Sequence, residues 1–319
     1  MEKKVLIGSA GSSTAFNAVC SLRRLPDCNI HVACMDTNPA HLVTASLLAD
    51  RFFQVSRFDN QQFGPELLKI MHAECIDTYL PLYPYEIEIA ANLASSGRFP
   101  ERVTLIAPSE NSAKLCANKR RLADVLKQNY LPTPELFTKV DNLCEKQYFV
   151  KPINGVGSFN ATVVDADILK TWEEQELSKY VIQEICSGPE VTVDGFRNIH
   201  KRNGHYVCRE RLVTKAGVSI KCRLFYDEEL SDLVHKCAEV LGLYGAFCIQ
   251  VMKANKAWVI TDVNPRPGSA TTMCMLTGND FYSAHFLQAW GCDTEACFKT
   301  LDREVFVTRQ YADFLMGSE

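Results

Sequence analysis

Apolar positions in the first hundred residues fall into short uncharged runs, separated by stretches with apolar residues every third or fourth position. The runs at 5–9, 30–35, 52–55, 78–82 and 103–107 predict strands, and the stretches at 14–24, 62–73 and 85–95 predict helices. Strands without charge are covered on both faces, so strand–helix alternation predicts a parallel, doubly wound sheet. The pattern then changes. Helical spacing over 109–128 is broken at Pro132 and Pro134. Strands dominate from 147 onward, at 148–151, 160–164, 181–185, 191–197 and 205–213, with 246–252 and 257–263 following a helix at 228–241. A turn centred on Asn203-Gly204 predicts an antiparallel hairpin between two of these strands. An α/β half is thus followed by an α+β half, without internal repeats.

Composition narrows the function classes. A chain of 319 residues suits two or three subdomains better than one core. A net charge of -4 argues against nucleic acid or an anionic membrane as the main partner. No window approaches a membrane span and the opening run lacks a signal-peptide core, so a cytoplasmic location is expected. The 14 cysteines are scattered, with no C-x-x-C pair, as in a protein of reduced thiols. His200, His205 and Cys208 come closest to a metal cluster, but the predicted turn splays them and no zinc is expected.

Three stretches carry chemistry. In the first, a strand delivers Lys151, Pro152 ends its ladder, and a loop follows with Gly155, Gly157 and Ser158. Glycines let backbone N–H groups approach phosphate oxygens, and a lysine offsets their charge. In the second, the strand 181–185 meets Ser187-Gly188-Pro189, and Glu190 opens the next strand. Such a linker offers backbone groups to an adenine edge and a carboxylate to ribose hydroxyls. In the third, Asp262 and Asn264 stand two apart on one strand and face the same side, with Gln250 on a neighbouring strand and Arg266 just beyond. Oxygen donors of this kind suit Mg²⁺, and arginine binds phosphate or carboxylate in a fork.

In this order the three stretches resemble the ATP-grasp superfamily over residues 105–290. The Asp262-Val263-Asn264-Pro265-Arg266 run and Gln250 are most similar to the large subunit of carbamoyl-phosphate synthase, and 187–193 is similar to D-alanine–D-alanine ligase. The resemblance implies a pre-ATP-grasp domain at 1–108, a small lobe at 109–182 and a large lobe at 183–319. It implies Lys119 and Lys151 on the nucleotide phosphates, and 155–158 as a loop folding over them. Gln183, Glu184, Ile185 and Cys186 would line the adenine, with Glu190 on the ribose. Gln250, Asp262 and Asn264 would hold one or two Mg²⁺ ions, and Arg266, with Lys151, would act on the transferred phosphoryl group. The implied activity is ATP-dependent ligation of a carboxylate to an amine through an acyl phosphate. Lys215 and Val218 replace a histidine and an aspartate expected in the carbamoyl-phosphate type, which argues against that product.

Acceptor residues are less defined. Arg209 and Arg211 share a strand face and are candidates for steering an anionic substrate, with Lys215 beside them. Glu86 is a further candidate, at a strand end of the first sheet. Two other readings compete: a non-catalytic ATP-binding module, and an NAD-dependent oxidoreductase built on Gly8, Gly11 and Asp36. The latter lacks the full G-x-G-x-x-G pattern. Homodimerisation is left open.

Overall fold

The computed structural model describes residues 2–26, 28–155, 160–201 and 203–317. Strands β1 (Glu2–Ile7), β2 (Asn29–Asp36), β3 (Arg51–Gln54), β4 (Thr78–Leu80) and β5 (Thr104–Leu105) form a parallel sheet in the order β3-β2-β1-β4-β5. Helices α1 (Ser13–Leu22), α2 (Phe63–Ala73) and α3 (Pro84–Ser95) connect them. Strand alternation divides the apolar residues between two faces. Val5, Ile7, Val32 and Cys34 pack under α1, while Leu6, Ala33 and Met35 pack under α2 and α3. The doubly wound sheet is as expected.

The predicted helix over 109–128 is two helices, α4 (Glu110–Ala117) and α5 (Lys119–Gln128). Asn118 leaves helical conformation between them, and its side chain accepts the Arg121 N–H as the cap of α5. A four-stranded antiparallel sheet follows, ordered β6-β9-β7-β8. It contains β6 (Leu136–Phe137), β7 (Gln147–Pro152), β8 (Thr162–Asp165) and β9 (Tyr180–Gln183), with the short helices α6 (Ala166–Leu169) and α7 (Glu174–Leu177) against it.

The third sheet is antiparallel and six-stranded. It comprises β10 (Ser187–Arg197), β11 (Gly204–Lys215), β12 (Val218–Phe225), β13 (Gly245–Ala254), β14 (Ala257–Asn264) and β15 (Val305–Thr308), in the order β14-β13-β10-β11-β12-β15. Val191, Val193, Ile249, Val251 and Val263 point to one face, against α8 (Glu228–Val240). Thr192, Asp194, Cys248 and Gln250 alternate with them onto the other, and Phe196 there packs beneath α9 (Phe281–Ala289). Helix α9 also returns to the first sheet, where Tyr282 and Phe286 join its core and the Trp290 indole donates to Thr78 Oγ1 at 2.9 Å.

The hairpin β10–β11 is present, but Asn203-Gly204 is not its centre. The loop spans 198–203 and is closed by the Asn198 N–H donating to the Asn203 carbonyl at 2.9 Å. The Asn198 side chain accepts from the His200 and Lys201 N–H groups, replacing a two-residue turn with a wider one. Among the described residues, no helix is long and apolar enough to cross a membrane.

Candidate functional site

The pairing of β13 with β14 builds the centre of the site. Gln250 stands opposite Asp262 and Cys248 opposite Asn264, yet Val251 pairs with Ile260. Thr261 is therefore the extra residue of a β-bulge. Val263 enters the core, so Asp262 and Asn264 share the opposite face, and Asn264 Nδ2 donates to Asp262 Oδ2 at 3.1 Å. The bulge also frees the Thr261 carbonyl, which accepts from Lys151 Nζ at 2.9 Å. Lys151 lies on β7, in a different sheet. Burial draws its pKa below the ordinary lysine value, opposed in part by the charge of Asp262. Lys119 begins α5. Its Nζ donates to the Gly155 carbonyl at 2.9 Å and its N–H to the Ile153 carbonyl at 3.0 Å.

Three cavities meet at Asp262, which lines all of them. The first lies between the four-stranded and six-stranded sheets, with Phe149, Val163, Ile185 and Met252 as apolar walls and Lys119, Lys151, Gln250 and Glu190 as polar lining. Gln183, Ile185, Cys186 and Gly155 also line it. Glu184 does not: strand alternation turns its side chain to the other side of β9, where it accepts the Glu135 N–H at 2.8 Å. Burial raises the Cys186 thiol to about 11, keeping it neutral. Gly157 and Ser158 lie outside the described residues.

The second cavity contains Arg209, Arg211 and Arg266 together with Gln250, Asp262 and Asn264. Arg209 is buried. Its Nε and Nη2 donate to the two oxygens of Asp194 at 2.8 and 3.3 Å, and Nη1 donates to Ser219 Oγ at 3.0 Å. Burial opposes its charge, but Asp194 more than compensates and raises its pKa. Thr271 Oγ1 donates to the same carboxylate at 2.6 Å. Arg211 pairs with Glu190 and donates to the Gly217 carbonyl at 2.7 Å. Because Glu190 lines the first cavity and Arg211 the second, this ion pair spans their common wall. Arg266 donates from Nη1 to the Pro267 carbonyl at 2.9 Å, and its buried Nε has no hydrogen-bond partner among the described residues.

The third cavity opens toward the first sheet, with Tyr85 and Glu88 of α3 facing Lys114, Arg121, Asn264 and Arg266.

Besides Glu184, two further candidates from the sequence stand apart from these cavities. Glu86 is 3 % exposed, and its carboxylate accepts from Ser9 Oγ at 2.5 Å and from the Tyr79 hydroxyl at 2.6 Å. It ties α3 to the β1 loop, where a Cβ on Gly8 would lie 1.6 Å from its Oε1. In the structure this side chain is committed to bonds within the first sheet's frame and does not line the three cavities. Lys215 is exposed at the β11–β12 turn, and its ammonium sits 4.8 Å from the centre of the Tyr311 ring. Asp36, the acidic residue of the dinucleotide reading, accepts the Gly11 N–H at 2.7 Å and so closes the β1–α1 loop on itself. Asp194, Ser219, Thr271 and Glu88 are new members of the site. Asp194 carried one signal, a carboxylate in an apolar strand run.

The same fold recurs in solved structures. The chain aligns over 91% of its length with 70% of the biotin carboxylase domain of 2-oxoglutarate carboxylase from Hydrogenobacter thermophilus, at 15% identity and a TM-score of 0.70. It covers 78% of N5-carboxyaminoimidazole synthetase from Staphylococcus aureus over 91% of its own length, at 13% identity and a TM-score of 0.72. L-amino acid ligase from Bacillus licheniformis is matched over 93% of this chain and 76% of that one, at 16% identity and a TM-score of 0.70. A search of curated proteins finds no match. Residues 116–270 match the family model of the ATP-grasp domain, a segment holding both lysines, the bulged strand and Arg266. Residues 116–270 are thus identified as an ATP-grasp domain within this chain.

Proposed function

We propose that the protein is an ATP-dependent ligase that activates a carboxylate as an acyl phosphate and joins it to an amine, releasing ADP and phosphate. The observation that carries this reading is the position of Asp262 at the meeting point of all three cavities. The first cavity suits a nucleotide: apolar walls take a base, Gln183, Ile185 and Cys186 line its edge, and Glu190 accepts from ribose hydroxyls. Lys119 and Lys151 hold the phosphates. Their only hydrogen-bond partners among the described residues are carbonyl oxygens, so neither charge is already neutralised by an ion pair.

Gln250, Asp262 and Asn264 supply an oxygen-rich donor set with one formal charge, which fits one Mg²⁺ ion, or two shared with the phosphates. When bound, the ion screens the charge that spreads over the transferred group. The second cavity holds the acid against Arg266. A carboxylate oxygen attacks the γ-phosphorus and ADP departs. The amine, entering by the third cavity, then attacks the acyl carbon and phosphate leaves. The biotin carboxylase domain structure was obtained with MgADP and bicarbonate, and the synthetase structure with ADP, which support nucleotide binding in this fold.

A coupled assay of ADP release tests the reading. Release should require an acid and an amine together with Mg-ATP. Tight ATP binding without release, across a broad panel of acid–amine pairs, would leave a nucleotide-binding module in its place.

A further inference from the structure

Three guanidinium groups line the second cavity, which would suggest a site for a polyanion. Their partners change that expectation. Arg209 donates from all three of its nitrogens to Asp194 and Ser219, with Asp194 taking two of the bonds. Arg211 is paired with Glu190 and capped by the Gly217 carbonyl. Arg266 alone of the three has no carboxylate partner among the described residues; its bond goes to a carbonyl and its Nε is buried without an acceptor. The remaining polar lining is the hydroxyls and amides of Thr14, Thr192, Ser219, Ser269, Gln250 and Asn264, and one carboxylate, Asp262, whose charge the proposed Mg²⁺ takes up.

From this balance we infer that the second cavity takes a small monocarboxylic acid bearing hydroxyl or amino substituents, and rejects the dicarboxylate of the same skeleton. This rests on the ligase reading for its place in the reaction and for the commitment of Asp262 to Mg²⁺, and on the two ion pairs for the neutrality of Arg209 and Arg211. One uncompensated guanidinium offsets one carboxylate. A second carboxylate would be desolvated beside arginines whose charges Asp194 and Glu190 already balance. The hydroxyl and amide lining instead meets substituents that donate and accept hydrogen bonds.

Glu190 makes the idea testable, because its removal releases a cation into the cavity without adding a group. Calorimetric binding to the whole chain, with Mg²⁺ and a non-hydrolysable ATP analogue, should use matched pairs that differ by one carboxylate: L-alanine with L-aspartate, and L-lactate with L-malate. At least one monocarboxylate should bind about tenfold or more tightly than its partner. Glu190→Gln should move that ratio about tenfold toward the dicarboxylate, and the ratio cancels any general loss from weaker nucleotide binding. Adding Arg211→Gln should reverse the gain, which separates a freed Arg211 from a disturbed fold. Preferential binding of dicarboxylates by the unaltered chain, or no binding of any acid in the panel, overturns the inference. The expected preference without ADP release in the presence of amines would support the cavity assignment and remove the ligase reading instead.

Discussion

The lysine-lined cavity proposed for the nucleotide and the arginine cavity share Gln250, Glu190's ion pair and Asp262, yet they treat positive charge in opposite ways. In the first, Lys119 and Lys151 are held by backbone carbonyls. A carbonyl fixes an ammonium in place but leaves its charge available, which is what a polyphosphate requires. In the second, Arg209 and Arg211 are held by carboxylates, so two large side chains supply shape and hydrogen bonds with little net charge. The kind of oxygen that positions a cation is therefore as informative as the cation. Counting basic residues around a pocket would have ranked the arginine cavity as the more anion-hungry of the two.

The largest effect should come from breaking the carboxylate-held side. Asp194 is fully buried and bonded to Arg209, Thr271 and Cys274. Asp194→Ala leaves an uncompensated buried guanidinium, with an expected loss of about 3–5 kcal/mol of stability in urea unfolding. A loss under about 1 kcal/mol would mean that the pair is not the structural element described.

Next is the carbonyl-held side. Lys151→Ala should lower kcat/KM for ATP by about 10²–10³-fold with an unfolding midpoint close to that of the unaltered chain. Burial lowers the pKa of Lys151, so its ammonium is lost at a lower pH than an ordinary lysine's. ATP affinity of the unaltered chain should decline as pH rises toward that lowered value, and Lys151→Ala should remove this part of the profile. An unchanged profile would assign the phosphate contact to another group.

The smallest effect belongs to Lys215, whose charge lies over Tyr311 at the surface. Lys215→Ala should alter the KM for the acid by about twofold or less. A change of tenfold would place this lysine in the cavity and undo the charge balance drawn for it.

Much of the site could be read from the chain because its central signals are local. Asp262 and Asn264 share a face through strand alternation alone, and Lys151 is followed at once by its proline and glycines. What escaped reading depends on register across a hairpin. A tight turn on Asn203-Gly204 would place Glu190 opposite Gly217. In the structure Val191 pairs with Glu210, so Glu190 comes level with Arg211, and the two ion-pair. The wider loop displaces the pairing by an even number of residues, so every side chain keeps its predicted face while acquiring a different partner. Strand alternation alone therefore puts Arg209 and Arg211 on one face, as in the structure, while the register across the hairpin decides which carboxylates neutralise them. Glu86 differs for another reason: a strand-end carboxylate reads as a candidate ligand, whereas in the structure it is buried against Gly8 and bonded to Ser9 and Tyr79.

The bulge at Thr261 has a consequence for how this protein would respond to genetic dissection. The residue contributes its carbonyl to Lys151, and every amino acid carries that atom. A library that exchanges side chains one position at a time would pass over it with little signal beyond the loss of a 3.2 Å hydroxyl bond to the Gln250 carbonyl. Deleting the residue would instead straighten the ladder, leave Asp262 facing Gln250, and strand the lysine. At this position the information lies in the presence of a residue rather than in its identity.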